Sequence, residues 1–232
     1  MIKGNLILAP GAVLNATFAL NDVAGTGTSS LTVFGDVKVG YGATLGMGCE
    51  PNFQPCTDDP NAGTGGTLTG QNHVFGDVRG RQALALIIHA STINGDVSTS
   101  GGGGGVNCNV PTTGIFAELQ SPVFTDFEDN TIGGNLTVTG LQTCWLGGLR
   151  NHVRGSLFDA KNTMADPDAN EVNTNVVRRN IACFNNSPAV QFGDSMGSPN
   201  QVRGHAFGEC GFHVKQPNPA PSGPLVPISV KI

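Results

Sequence analysis

The chain has 232 residues, of which 34 are Gly and only 12% are charged, and it carries a net charge of −5. Apolar residues make up 38%, enough for a core and too many for a disordered chain. The acidic balance argues against a nucleic-acid partner, no Gly-X-Y period marks a collagen, and no apolar run approaches the length that spans a bilayer. Helix formers are sparse while Gly, Asn, Thr and Val dominate, so the expected class is all-β with many turns.

A five-residue unit recurs along the chain. It is an apolar residue, any residue, Gly, a small polar residue and an apolar residue. It begins as Ile2-Lys3-Gly4-Asn5-Leu6, Val33-Phe34-Gly35-Asp36-Val37 and Val74-Phe75-Gly76-Asp77-Val78. It continues as Ile93-Asn94-Gly95-Asp96-Val97 and Ile132-Gly133-Gly134-Asn135-Leu136. The later copies are Val153-Arg154-Gly155-Ser156-Leu157, Val177-Arg178-Arg179-Asn180-Ile181 and Val202-Arg203-Gly204-His205-Ala206. Arg179 takes the Gly place in the seventh copy.

Spacings between the Gly places are 31, 41, 19, 39, 21, 24 and 25. The short ones match one solenoid turn each, and 39 and 41 read as two turns each. Degenerate units are then expected around residues 43–68 and at Ile115-Phe116-Ala117, for about ten coils in all. Alternation puts the first, third and fifth motif positions inward and the second and fourth outward. About 20 residues per unit leave no room for a crossover helix. The expected fold is a single right-handed parallel β-helix over residues 1–215, with loop insertions.

Four residues before the Gly place stand Asn72, Ser91, Asn130, Asn151, Asn175 and Asn200. Stacked on successive coils they form an amide ladder that satisfies backbone groups at a bend. The tail is expected to be a Pro-rich linker, 216–224, then an alternating strand, 225–232, that caps the last coil or pairs with a neighbouring molecule.

The C-terminal third carries Asp166-Pro167-Asp168-Ala169-Asn170-Glu171-Val172, Asn185-Asn186-Ser187-Pro188-Ala189, Gly193-Asp194 and the closing stretch 202–210. Over residues 130–212 it resembles a group of exported actinobacterial proteins of unknown function. That resemblance implies a secreted β-helix and supplies no activity.

Six Cys without a CxxC pair read as a disulfide framework in an exported protein. The expected bonds are Cys49–Cys56, Cys108–Cys144 and Cys183–Cys210. The sequence shows no signal-peptide pattern and Met1 stands beside the first motif copy, so a trimmed mature domain with an added start Met, located at the cell surface or outside the cell, is expected.

Three groups of residues are candidates for chemistry. Arg154, Arg178 and Arg203 share one outward place on successive coils, where like charges repel unless loop carboxylates such as Asp159, Asp194 or Glu209, or an anionic ligand, relieve them. An acidic polysaccharide or wall polymer fits that stripe. Asp77 and Asp96, with Arg79, are the candidate set for a Ca²⁺-dependent polysaccharide lyase or a glycoside hydrolase, against the plainer reading of solvated carboxylates. Asp166, Asp168, Asn170 and Glu171 could offer oxygen ligands to Ca²⁺, though the Gly and distal Glu of an EF-hand are missing. His73 and His152 read as surface histidines, the glycine run 101–105 as a flexible bulge, and Trp145 as a loop anchor or sugar platform. No required cofactor is expected. The favoured reading is a non-catalytic exported β-helix that binds glycan or self-associates, with the enzyme as its rival. An ice-binding solenoid is set aside because no flat Thr ladder runs through the repeats.

Overall fold

The computed structural model describes residues 1–17, 31–48, 72–195, 197–212 and 214–215. Its strands assemble into two sheets of eight, one of six and a two-stranded pair, and every strand pairing is parallel. One passage of the chain shows how. Ser91–Ile93 lies in the first sheet, Val97–Ser100 in the second, Phe124–Glu128 in the third, and Thr131–Ile132 returns to the first beside Ser91–Ile93. Parallel strands joined this way leave one continuous apolar interior, in which Val33, Val74, Ile93, Ile132, Val153 and Val177 are stacked and fully or almost fully buried.

The second sheet carries eight strands, one after each copy of the motif. The strands on either side of the 41- and 39-residue spacings pair directly, Val33 with Val74 and Val97 with Leu136, and residues 49–68 of the first expected degenerate unit lie outside the described residues. Thr44-Leu45 belongs to the third-sheet strand Thr44–Gly48, within the same passage as Gly35. Ile115–Glu118 is a short α-helix, not a degenerate strand unit. The helix packs Phe116 against Ala85, Ile87 and Val123, so the insertion builds a small second core on the outer side of the third sheet. That explains why Ala85–His89 is buried at every residue.

The motif's fourth residue does not simply face outward, as alternation suggested. Its side-chain oxygen accepts the backbone N–H of the same position one turn later. Asn5 caps Asp36 at 2.8 Å, Asp36 caps Asp77 at 3.1 Å, Asp77 caps Asp96 at 2.7 Å and Asp96 caps Asn135 at 2.7 Å. The run continues through Asn135 to Ser156, Ser156 to Asn180 and Asn180 to His205. This column also accounts for the glycine. A Cβ on Gly76, Gly95 or Gly134 would overlap the capping oxygen of Asp36, Asp77 or Asp96 below it. The glycine is therefore demanded by close approach of the previous turn, by its capping side chain and also by its backbone, which a Cβ would meet at 2.7 to 2.9 Å.

The Asn ladder stands at the next corner, as expected. Asn151 Oδ1 accepts the N–H of Asn130 at 3.1 Å, and its own amide donates to Phe127 O at 2.7 Å and to Asn175 Oδ1 at 3.0 Å. Asn130 and Asn175 repeat the arrangement, and all of these asparagines are fully buried. The residues just before Ser91 and these asparagines, Ala90, Asp129, Arg150 and Thr174, have φ of 44° to 58°. Non-Gly residues adopt that conformation only when their surroundings enforce it. The ladder, which fixes the bend on both sides, supplies that enforcement.

Disulfides join Cys108 to Cys144 and Cys183 to Cys210, with Cα separations of 4.7 and 5.2 Å. Cys49–Cys56, Asp58, Asp59 and the tail 216–232 lie outside the described residues. Among the described residues, no helix is long and apolar enough to cross a membrane.

Candidate functional site

Arg154, Arg178 and Arg203 stand on consecutive turns, because Val153 pairs with Val177 and Val177 with Val202 immediately before them. All three are exposed. Two of the three carboxylates expected to relieve them, Asp159 and Glu209, are engaged elsewhere. Asp159 is turned into the interior, where the amides of Asn162 and Asn186 hold it. Glu209 accepts the backbone N–H and the side-chain amide of Asn186, at 3.0 and 2.8 Å. The Asp194 side chain lies outside the described residues. Among the described residues, no carboxylate forms an ion pair with any of the three guanidinium groups.

Arg179 adds a fourth exposed guanidinium beside Arg178. It keeps the corner geometry despite replacing glycine, donating to Gly155 O and accepting from Gly204, each at 3.0 Å. The residue beneath it is Ser156, the shortest in the capping column. A serine hydroxyl ends one atom earlier than a carboxylate or amide, which leaves room for the Cβ of Arg179. Four residues past Arg154 and Arg203, on the other side of the corner, Phe158 and Phe207 are exposed at equivalent positions of the second sheet.

The Asp77, Asp96 and Arg79 set is arranged differently from a hydrolytic pair. Each Asp spends one oxygen on a backbone N–H of the next turn, and Arg79 pairs with the second oxygen of Asp77. Asp96 also accepts from the side chain of Asn135 at 3.1 Å. These carboxylates are corner caps, aligned along the stack.

The expected Ca²⁺ loop does not gather its ligands. Asp166 accepts the N–H of Asp168 at 2.9 Å. Asn170 is buried and donates to Pro188 O. Glu171 is buried in a strand, where it accepts the Trp145 indole N–H at 3.1 Å and the Ser195 N–H at 3.2 Å. Asp166, Asp168 and Glu171 share no common ligand cluster among the described residues. Trp145 is thereby a strand residue with its polar edge tied inward, not a loop anchor.

His73 stacks on Phe75, which stacks on Phe34, and bonds Asn94 at 3.0 Å. His152 is exposed. The glycine run 101–105 adopts positive φ throughout and lines a groove with Tyr41, Gln82 and Gln142.

Comparison with protein-family models, with curated proteins and with solved structures returns no match. The functional reading rests on the residues themselves.

Sequence reasoning missed two buried charged clusters. In the first, burial pushes the Asp159 carboxyl up to about 7, with the charge of Glu209 adding to the shift and amide contacts partly opposing it. In the second, His89 Nε2 lies 3.0 Å from Asp126 Oδ2, and Arg150 bonds both Glu128 and Asp129. Burial opposes the charge on Arg150, but its bonds to Asp129 and Glu128 hold it protonated. The signal was present in the stretch Phe124–Glu128, where Asp126 and Glu128 alternate with the inward Phe127. A strand with acids on its outer face reads as solvated unless the insertion covering that face is foreseen.

Proposed function

We propose that this protein is a non-catalytic, exported parallel β-helix that acts at the cell surface or in the extracellular matrix by binding an acidic polysaccharide or anionic wall polymer. A right-handed solenoid is the expected form, since parallel crossover connections are almost always right-handed. The observation that carries the reading is the column of Arg154, Arg178 and Arg203 with no ion-pairing carboxylate among the described residues. Three like charges about 4.8 Å apart per turn repel, and a polyanion running along the stack relieves them together. The exposed Phe158 and Phe207 flank that column and supply apolar faces for sugar rings.

The same exposed aromatics favour a second reading, self-association through this face. The lyase or hydrolase reading lacks comparable support, because Asp77 and Asp96 cap backbone groups. Retention on an acidic polysaccharide column tests the proposal. The wild-type protein is expected to bind and to elute earlier as salt rises, and Arg154→Gln/Arg178→Gln/Arg203→Gln is expected to flow through. Unchanged retention of the triple variant would overturn it.

A further inference from the structure

We propose that His89, Asp126 and Glu128 form a buried site for one divalent first-row metal ion, Zn²⁺ or Mn²⁺. The strands Ala85–His89 and Phe124–Glu128 pair in parallel, with Ile87 opposite Asp126 and His89 opposite Glu128. Leu86, Ile88 and Phe127 fill the interior, so alternation puts the three polar side chains together on the outer face of the sheet. All three are nonetheless buried, and their ligand atoms lie within 4.8 Å of one another. The 3.0 Å between His89 Nε2 and Asp126 Oδ2 is also the separation of two neighbouring donors around a single small cation.

Two further observations point to an ion. Asp126 Oδ1 is buried and accepts no hydrogen bond, and a carboxylate oxygen so placed is costly without a cation. The charge is also unbalanced. Asp126, Glu128 and Asp129 are three buried carboxylates, and the guanidinium of Arg150 serves Glu128 and Asp129. That leaves Asp126 facing only an imidazole. A divalent ion held by one imidazole nitrogen and two carboxylates supplies the missing charge, and this donor set suits Zn²⁺ or Mn²⁺ better than Ca²⁺. Such an ion would tie two turns of the stack together across the insertion between them, so its role is structural.

The test is refolding of the disulfide-intact protein with chelator, with Zn²⁺ or with Mn²⁺, followed by elemental analysis and thermal unfolding. One ion per chain and a midpoint raised by several degrees are expected for the wild type. Both effects should vanish in Asp126→Asn and in His89→Gln. Co²⁺ loaded into the wild type is expected to show the visible absorption of mixed nitrogen and oxygen ligation, which keeps the test open if either variant fails to fold. A wild-type protein that retains neither ion and unfolds at one temperature under all conditions would overturn the proposal and leave a buried His–Asp ion pair. Undiminished binding by a folded Asp126→Asn would equally overturn it, by placing the ion elsewhere.

Discussion

At the residue scale the motif is a reciprocal pair one turn apart. The capping residue of one turn and the Gly of the next occupy the same space, so each restricts the other. Ser156 under Arg179 is the exception that displays the rule. Ser156→Asn should therefore destabilise the protein by about 1–3 kcal/mol, the usual cost of overpacking. The double variant Ser156→Asn/Arg179→Gly should recover most of that loss. Thermal unfolding of the four proteins in a double-mutant cycle checks this, and additive effects would show that the two positions are independent.

Asp159 supports a second residue-scale prediction. Its carboxyl titrates at about 7 when folded, against 3.8 for a free aspartate side chain. The folded state thus holds the proton more tightly, and stability falls as pH rises from about 4 through about 7. Above that range the full cost of the buried charge is present, a few kcal/mol at most. Asp159→Asn should be more stable than wild type at pH 8 and should lose most of the dependence between about pH 4 and 7. Chemical denaturation across that range is the measurement, and a wild-type curve that rises with pH would contradict the assignment.

At the element scale the strands are short, and the corners do much of the holding. In Asn151 one side chain receives two donors and donates twice within the buried ladder. Removing it strands two buried backbone groups and two side-chain amides, so Asn151→Ala should cost roughly 3 kcal/mol or more. A loss below about 1 kcal/mol would mean that water replaces the amide.

The ladder was legible in the sequence because Asn recurs at a fixed offset from the motif. The strands were legible because Val and Ile alternate around it. The number of turns was less so. The spacings of 39 and 41 suggested doubled units, yet Gly95 and Gly134 sit on adjacent turns because an insertion with its own short helix lies between them. The outward reading of Asp77 and Asp96 omitted their capping bonds for a related reason. Period 2 describes the two faces of a strand, whereas a corner residue points along the stack, a direction that exists only once the turns are piled up. The buried His89, Asp126 and Glu128 group escaped notice because its burial depends on a long-range covering element. The Arg column was legible in full, since equivalent motif positions stack whatever the loop lengths.

At the scale of the whole molecule, stacking turns sequence repetition into surface repetition. A net charge of −5 is spread over the chain, while four arginines gather where the seventh turn meets its neighbours. Of the acids that could have answered them, Asp159 is buried against Asn162 and Asn186, and the half-buried Glu209 is bound to Asn186. The most direct test of a polyanion site is calorimetric titration of the wild type, the Arg154→Gln/Arg178→Gln/Arg203→Gln variant and an Arg79→Gln control with one acidic oligosaccharide at low salt. The wild type and Arg79→Gln should bind alike, since Arg79 is paired with Asp77, and the triple variant should lose at least about tenfold in affinity, which corresponds to about 1.4 kcal/mol. Equal affinity for all three proteins would contradict the account.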